Sequence, residues 1–146
     1  MYLPVPPPQE PSVQALHIPD GFLNAPLAIA GYAVTGVVLA LAVRYTNRKM
    51  GEKAAPLMGV LAAFIFAAQM INFPVAGGTS GHLLGGALAA IFLGPWAATI
   101  ILASVVSVQA LIFQDGGIAV LGVNIFNMGI VTAFVGYYTY IAVDAL

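Results

Sequence analysis

The chain is a series of long uncharged apolar runs separated by short polar breaks. Residues 25–43 give nineteen uncharged positions, enough for one helix across a hydrocarbon core of about 30 Å. Pro26 fits the first turn of that helix, where a missing N–H does no harm. The break RYTNRKMGEK, residues 44–53, predicts a basic loop. A second run covers 57–73, with Gln69 and Asn72 near its far end. The stretch NFPVAGGTSGHLLGG, residues 72–86, reads as irregular backbone around Pro74, Gly77, Gly78 and Gly81. The apolar run 83–93 then has only eleven residues before Gly94-Pro95, roughly half a bilayer at about 1.5 Å per residue. This predicts a loop that dips into the membrane and a short helix that starts below its surface. Such backbone is tolerated only when buried in protein or lining a cavity. Residues 96–113 form a fourth span with Gln109 as its one strongly polar side chain. The turn QDGG, 114–117, leads to a fifth span over 118–143 that carries Asn124 and Asn127. The expected fold class is all-α: a polytopic helical bundle of about five transmembrane segments, one of them a short broken helix. Were 83–93 re-entrant, the sides of the last two spans would invert.

Composition sharpens the picture. Of 146 residues, 61% are hydrophobic and 6% charged, and the mean hydropathy is +0.99. A soluble domain carries about 25% charged residues. That excludes an ordinary cytosolic enzyme, a disordered tail and a basic nucleic-acid binder, and the net charge of −1 predicts no polyanionic partner. With no Cys, thiolate metal sites and disulfides are excluded too.

The charges are placed asymmetrically. Arg44, Arg48, Lys49 and Lys53 are all the basic residues, and they lie within ten positions. By the positive-inside rule that break is cytoplasmic, which puts His17 and Asp20 on the outer side. Five of the ten prolines lie in the first eleven residues. Residues 1–16 lack the basic and apolar regions of a secretory signal and read as a disordered, Pro-rich leader or as untranslated sequence. The transmembrane domain is expected over 17–146.

Both histidines fall at the outer side. A lone His is more often a hydrogen-bonded structural residue than a ligand. For His82 a ligand role gains weight, because it is the only group that titrates near neutral pH between residues 54 and 114. It follows Thr79, Ser80 and Gly81 at an expected helix N-terminus, where the dipole favours the neutral imidazole that a metal needs. Thr79 and Ser80 are expected to cap that helix. Asp20 either orients an imidazole or caps a turn; Asp115 either supports a ligand or is a surface turn residue. Asn124 and Asn127, at i,i+3, are expected to share a face and bond between helices. Gly81-xxx-Gly85 and Gly36-xxx-Ala40 permit close helix packing. Several chemistries fail outright. GGTSGH lacks the Lys of a phosphate loop, no HExxH occurs, and no carboxylate pair lies within the spans.

Four blocks, in order, carry a resemblance: HIPDGFLNAP at 17–26, NFPVAGGTSGHLLGG at 72–86, FQDGG at 113–117 and GVNIFNMG at 122–129. From His17 to about Tyr140 the chain resembles the substrate-binding membrane subunit of cobalt and nickel energy-coupling-factor transporters. The resemblance implies capture of Co²⁺ or Ni²⁺ as transported substrate at the outer face of the cell membrane. It implies two cytoplasmic ATPase subunits, a transmembrane coupling subunit and often a small accessory membrane subunit as partners. It also implies a ligand set in which a terminal amine sits directly before a His. Carried over, that set is the main-chain nitrogen of Leu16, the main-chain nitrogen and imidazole of His17, and the imidazole of His82. Four nitrogens in a plane suit Ni²⁺. Asp115, Asp20 and Asn72 are the candidates to support these ligands.

The chain departs from that pattern twice. Sixteen residues precede His17, and Leu16 takes the place of the initiator Met. Either translation starts at codon 16, which the break in composition favours, or a protease removes the leader. If instead the leader stays, Leu16 has no free amine. Longer members carry further helices beyond the position of Tyr140, so the chain is expected to be a fragment or to have them supplied by another chain. Two other classes compete: a structural membrane subunit with no substrate site, and an intramembrane hydrolase, against which the missing Ser–His geometry counts.

Overall fold

A computed structural model of the chain describes residues 17–51, 54–75 and 79–146. The expectations for residues 1–16 and for Lys53 lie outside them. Among the described residues, six α-helices carry the fold: α1 (Ala25–Lys49), α2 (Ala54–Gln69), α3 (Gly86–Leu93), α4 (Pro95–Ile112), α5 (Leu121–Ile125) and α6 (Thr132–Asp144). Between α5 and α6 the chain makes a π-turn over Phe126–Val131. Three helical stretches among the described residues are long and apolar enough to cross a membrane: Ala25–Lys49, Pro95–Ile112 and Leu121–Asp144, with α2 a shorter apolar helix. The chain is an all-α membrane protein.

Local chemistry explains the helix ends. Asn24 caps α1, its Oδ1 accepting the Leu27 N–H at 3.1 Å, and Pro26 sits in the first turn. The helix then runs on through Arg44, Arg48 and Lys49, so the expected basic loop is mostly helix. No proline or glycine stops it there, and the basic side chains suit its C-terminal dipole. Gly94, at φ +83°, turns the chain between α3 and α4, and Pro95 opens the new helix.

Helix α4 is the core. Eleven of its 18 residues are buried, against four of the 25 in α1. Ile101, Leu102 and Val105 of α4 pack with Ile65 of α2, Ala89 and Ala90 of α3 and Ala133 of α6. The outer faces stay apolar and exposed, as Ile29, Val60, Phe92 and Val135 show, which is the pattern of helices that face lipid. Where helices cross closely, glycine allows it. A Cβ on Gly122 would lie 2.6 Å from the Tyr32 backbone, and one on Gly136 would lie 2.3 Å from Ala87 Cβ. Gly36 has open space around it, so it does not serve the close packing its spacing permits.

The expectation for Gly77 and Gly78 lies outside the described residues, but on either side of them the stretch after α2 is more regular than expected. Strands β1 (Phe73–Val75) and β2 (Thr79–Gly81) pair antiparallel, with Phe73 opposite Gly81 and Val75 opposite Thr79. Helix α3 begins only at Gly86, behind Gly85 at φ +80° with no side-chain cap. His82 therefore precedes the helix rather than opening it, and Thr79 and Ser80 lie in β2 instead of capping. A Cβ on Gly85 would meet Ile65 Cγ2 at 2.5 Å, so the chain descends tightly against α2. Tyr45 and Trp96 stack at 5.6 Å, which puts the start of α4 beside the Lys49 end of α1. From the Gln69 end of α2, the loop and α3 thus lead to the Lys49 end of α1, which does not fit a re-entrant 83–93, and α4 returns towards His17.

Candidate metal site

At the start of the described chain His17 enters the bundle end, while Pro19 to Phe22 stay exposed. His17 is 5% exposed. Its neighbour Ile18 is held at both backbone groups by one side chain: its N–H donates to Asn124 Oδ1 at 3.1 Å, and its carbonyl accepts from Asn124 Nδ2 at 3.0 Å. The Ile18 carbonyl also accepts the Gly117 N–H at 2.9 Å. Asp20 accepts the N–H groups of Ile118 and Ala119, at 3.2 and 2.8 Å. The Asp20 carboxylate thus ties its own loop to the QDGG turn. Asn124 bonds a loop rather than a helix. The π-turn rotates the chain after it, leaving Asn127 exposed while Asn124 is buried, so the expected shared face is broken.

The QDGG turn is shaped to receive His17. Gln114 lies at φ +55° and Gly116 at φ +99°. A Cβ on Gly116 would stand 2.6 Å from His17 Cβ, so only glycine lets the two segments approach. The turn sets Asp115 Oδ1 3.4 Å from His17 Nδ1. That is longer than a charge-assisted hydrogen bond of about 2.7–2.9 Å, so the carboxylate faces the ring without bonding it. Both ring nitrogens of His17 are buried and have no hydrogen-bond partner among the described residues.

The second imidazole comes from the other side. The centroids of His17 and His82 are 6.3 Å apart and their planes are tilted by 47°. Metal–nitrogen bonds of about 2 Å on each side, plus the two ring radii, give separations of roughly 4.5–6.5 Å for imidazoles that share one ion. His82 Nδ1 lies 3.0 Å from the Leu83 carbonyl. A carbonyl only accepts, so Nδ1 is the donor in that contact, and in the neutral ring the lone pair then falls on Nε2. The structure brings His17, His82 and Asp115 together. Asn72 is exposed, ahead of β1, and bonds neither ring among the described residues. Leu16 lies outside them. No group of three or more His, Cys, Asp or Glu side chains there could hold a metal ion, so side chains alone do not fill a coordination sphere.

By sequence Gln69 and Gln109 are simply polar residues in apolar spans. Both are fully buried. Gln109 Nε2 donates to Gln69 Oε1 at 2.9 Å, and Gln69 Nε2 donates to the Leu84 carbonyl at 2.7 Å. The available signal was the need of each amide for a partner inside lipid.

Known proteins resemble this chain closely. NikMN of Archaeoglobus fulgidus is 49% identical over 129 residues, covering 88% of this chain and 43% of its own length. The fused nickel transport protein NikMN of Rhodobacter capsulatus is 37% identical over 125 residues, covering 86% of this chain and 36% of its own. A crystal structure of a truncated transition metal transporter superposes with a TM-score of 0.80 at 41% identity, over 89% of this chain and 62% of that one. The chain spans about half the length of several of the curated relatives it matches. Residues 17–146 match the model of the cobalt uptake substrate-specific transmembrane region, and the chain belongs to that family.

Proposed function

We propose that the chain is the metal-capture component of an ATP-driven importer for divalent cobalt or nickel, and that His17 and His82 grip the ion. One observation carries the reading: two imidazoles stand 6.3 Å apart, and one of them keeps both nitrogens buried without hydrogen-bond partners among the described residues. An imidazole nitrogen shut away from water without a partner costs free energy unless something else binds it. The main-chain nitrogens of Leu16 and His17 complete a planar set of four. A main-chain nitrogen binds only after losing its proton, which requires a strongly polarising ion and fused chelate rings. Nδ1 of His17 is the nitrogen that closes a six-membered ring with the residue's own main-chain nitrogen. The cobalt description of the family and the nickel and transition-metal names of its relatives support the ion class.

Arg44, Arg48 and Lys49 lie on the last turns of α1, roughly 28–36 Å of helix from Ala25 at the His17 end. The positive-inside rule makes that end cytoplasmic and the metal end external. The family resemblance assigns ATP hydrolysis to two cytoplasmic ATPase subunits, reached through a transmembrane coupling subunit and a small accessory one, in keeping with the lack of a phosphate-loop motif in this sequence. Chemistry on the ion itself is not required, and the chain acts as a binder rather than an enzyme.

The test is calorimetric titration of Ni²⁺ and Co²⁺ into the detergent-solubilised chain and into His17→Ala and His82→Ala. Loss of binding in both variants is expected; unchanged affinity in both overturns the assignment. Intact mass of the native protein decides the amine ligand, with a chain that starts at residue 16 expected and a retained Met1 refuting the four-nitrogen set.

A further inference from the structure

We propose that Gln69 and Gln109 are positioning residues of the metal site, forming a buried amide relay that fixes the spacing of the two histidine segments. The relay is continuous on both sides. Towards His82, Gln109 holds Gln69, and Gln69 holds the Leu84 carbonyl, two residues beyond the imidazole. The neighbouring Leu83 carbonyl faces His82 Nδ1, so two successive carbonyls of this loop are engaged, one by α2 and one by the ring. Towards His17, the main-chain carbonyl of Gln109 accepts the Asp115 N–H at 3.0 Å, and Asp115 faces the His17 ring. Gln109 is the junction of the two arms.

The amide orientations follow from the chemistry. Leu84 offers a carbonyl, so Gln69 must present Nε2 there and Oε1 to its other neighbour. Gln109 must then donate through Nε2, which leaves its own Oε1 buried without a hydrogen-bond partner among the described residues. A pair kept only for stability would be better served by apolar side chains of similar volume, because an unmatched buried acceptor is costly. The relay fixes geometry at that cost. Both amides are fully buried and span α2 and α4, the helices on which the His82 loop and the QDGG turn rest.

The consequence for metal affinity rests on the binding reading above, but the relay can be tested without metal. The chain has no cysteine, so His17→Cys/His82→Cys creates one thiol pair whose oxidative cross-linking rate reports their spacing. Adding Gln69→Leu to that variant is expected to slow cross-linking strongly, since a misplacement of about 1 Å costs a proximity-driven step as much as about 10²-fold. Gln69→Leu/Gln109→Leu, which removes both amides and leaves no unpaired side chain, serves where the single change impairs folding. A Tyr45→Cys/Trp96→Cys pair at the opposite end should cross-link at the same rate with and without Gln69→Leu. An unchanged rate for the histidine-site pair in both leucine variants overturns the relay. In the chain with both histidines intact, Gln69→Leu is expected to weaken Ni²⁺ binding by about 10–100-fold. Failure of the unsubstituted chain to bind Ni²⁺ would strike the metal reading and leave the cross-linking result intact.

Discussion

Asn124 holds both backbone polar groups of Ile18, its Oδ1 accepting the N–H at 3.1 Å and its Nδ2 donating to the carbonyl at 3.0 Å. The side chain acts as a strand edge would, and it fixes the residue beside His17. In Asn124→Leu the Ile18 carbonyl keeps the Gly117 N–H, but the Ile18 N–H loses its acceptor. The expected cost is about 1–3 kcal/mol, read as a lower unfolding midpoint in detergent. Hydrogen exchange at Ile18 should rise at the same time. Asn124→Asp keeps the acceptor but turns a second oxygen towards the carbonyl, so it should recover only part of the protection.

A second expectation concerns the turn that faces His17. Gly116 combines φ +99° with a Cβ direction that ends 2.6 Å from His17 Cβ. Gly21 has a similar φ of +84° but open space around it. Gly21→Ala thus carries backbone strain alone, about 1 kcal/mol or somewhat more. Gly116→Ala carries strain and also pushes His17 away from His82. Both should lower the unfolding midpoint, while Ni²⁺ affinity should fall in Gly116→Ala and hold near that of the unsubstituted chain in Gly21→Ala. Equal affinities in the two variants would disconnect the turn from the metal.

Much of this architecture could be read from the residues. Asn24 with Pro26 marks the start of α1, Gly94-Pro95 marks the break before α4, and the short run before that break announces half a crossing. These signals are local, because a cap or a turn depends on a few neighbouring residues. What resisted reading depends on which segments meet. Asp20 has two chemically sensible roles, and only the docking of the 17–20 loop on residues 118 and 119 selects one. The i,i+3 spacing of Asn124 and Asn127 implied one face, but an inserted π-turn separates them. By sequence His82 opens a helix, because an apolar run follows it. The Gly85 turn and the Gln69 bond to Leu84 postpone that helix to Gly86.

The glycine positions give a third, opposed pair of expectations. Gly36-xxx-Ala40 has a small-residue spacing by sequence, yet a Cβ added at Gly36 would meet nothing within 4 Å. Gly36→Ala should change stability by no more than about 0.5 kcal/mol, or raise it slightly by restricting the unfolded chain. Gly122→Ala drives a methyl against the Tyr32 backbone, which cannot yield as a side chain tip would. It also lies where Thr35 Oγ1 donates to the Gly122 carbonyl at 2.7 Å. A loss of about 1–3 kcal/mol is expected, measured by denaturant titration in the same detergent. A reversed order would mean that α1 does not pack on α5 as described.

Asp115 offers a test of how the site is held rather than how it binds. Its carboxylate oxygen lies 3.4 Å from Nδ1 of a ring that is itself wholly buried. Its N–H is anchored to the Gln109 carbonyl, so the side chain starts from a fixed point. Asp115→Asn keeps the shape and that backbone bond but removes the charge that faces the ring. Because Nδ1 is also the nitrogen proposed to bind the ion, the carboxylate stands beside the ion's position and attracts it by charge, so a Ni²⁺ titration of Asp115→Asn should show weaker binding than the unsubstituted chain. A purely structural role would appear elsewhere, in stability. A double-mutant cycle separates the two in the metal-free chain: Asp115→Asn, His17→Ala and the combined variant are compared for unfolding free energy. Groups in direct contact couple by about 0.5–3 kcal/mol, whereas independent ones add to within about 0.5 kcal/mol. Coupling is expected. Additive costs would show that Asp115 acts on its own turn and not through His17, and any affinity loss in Asp115→Asn would then need another route to the ion.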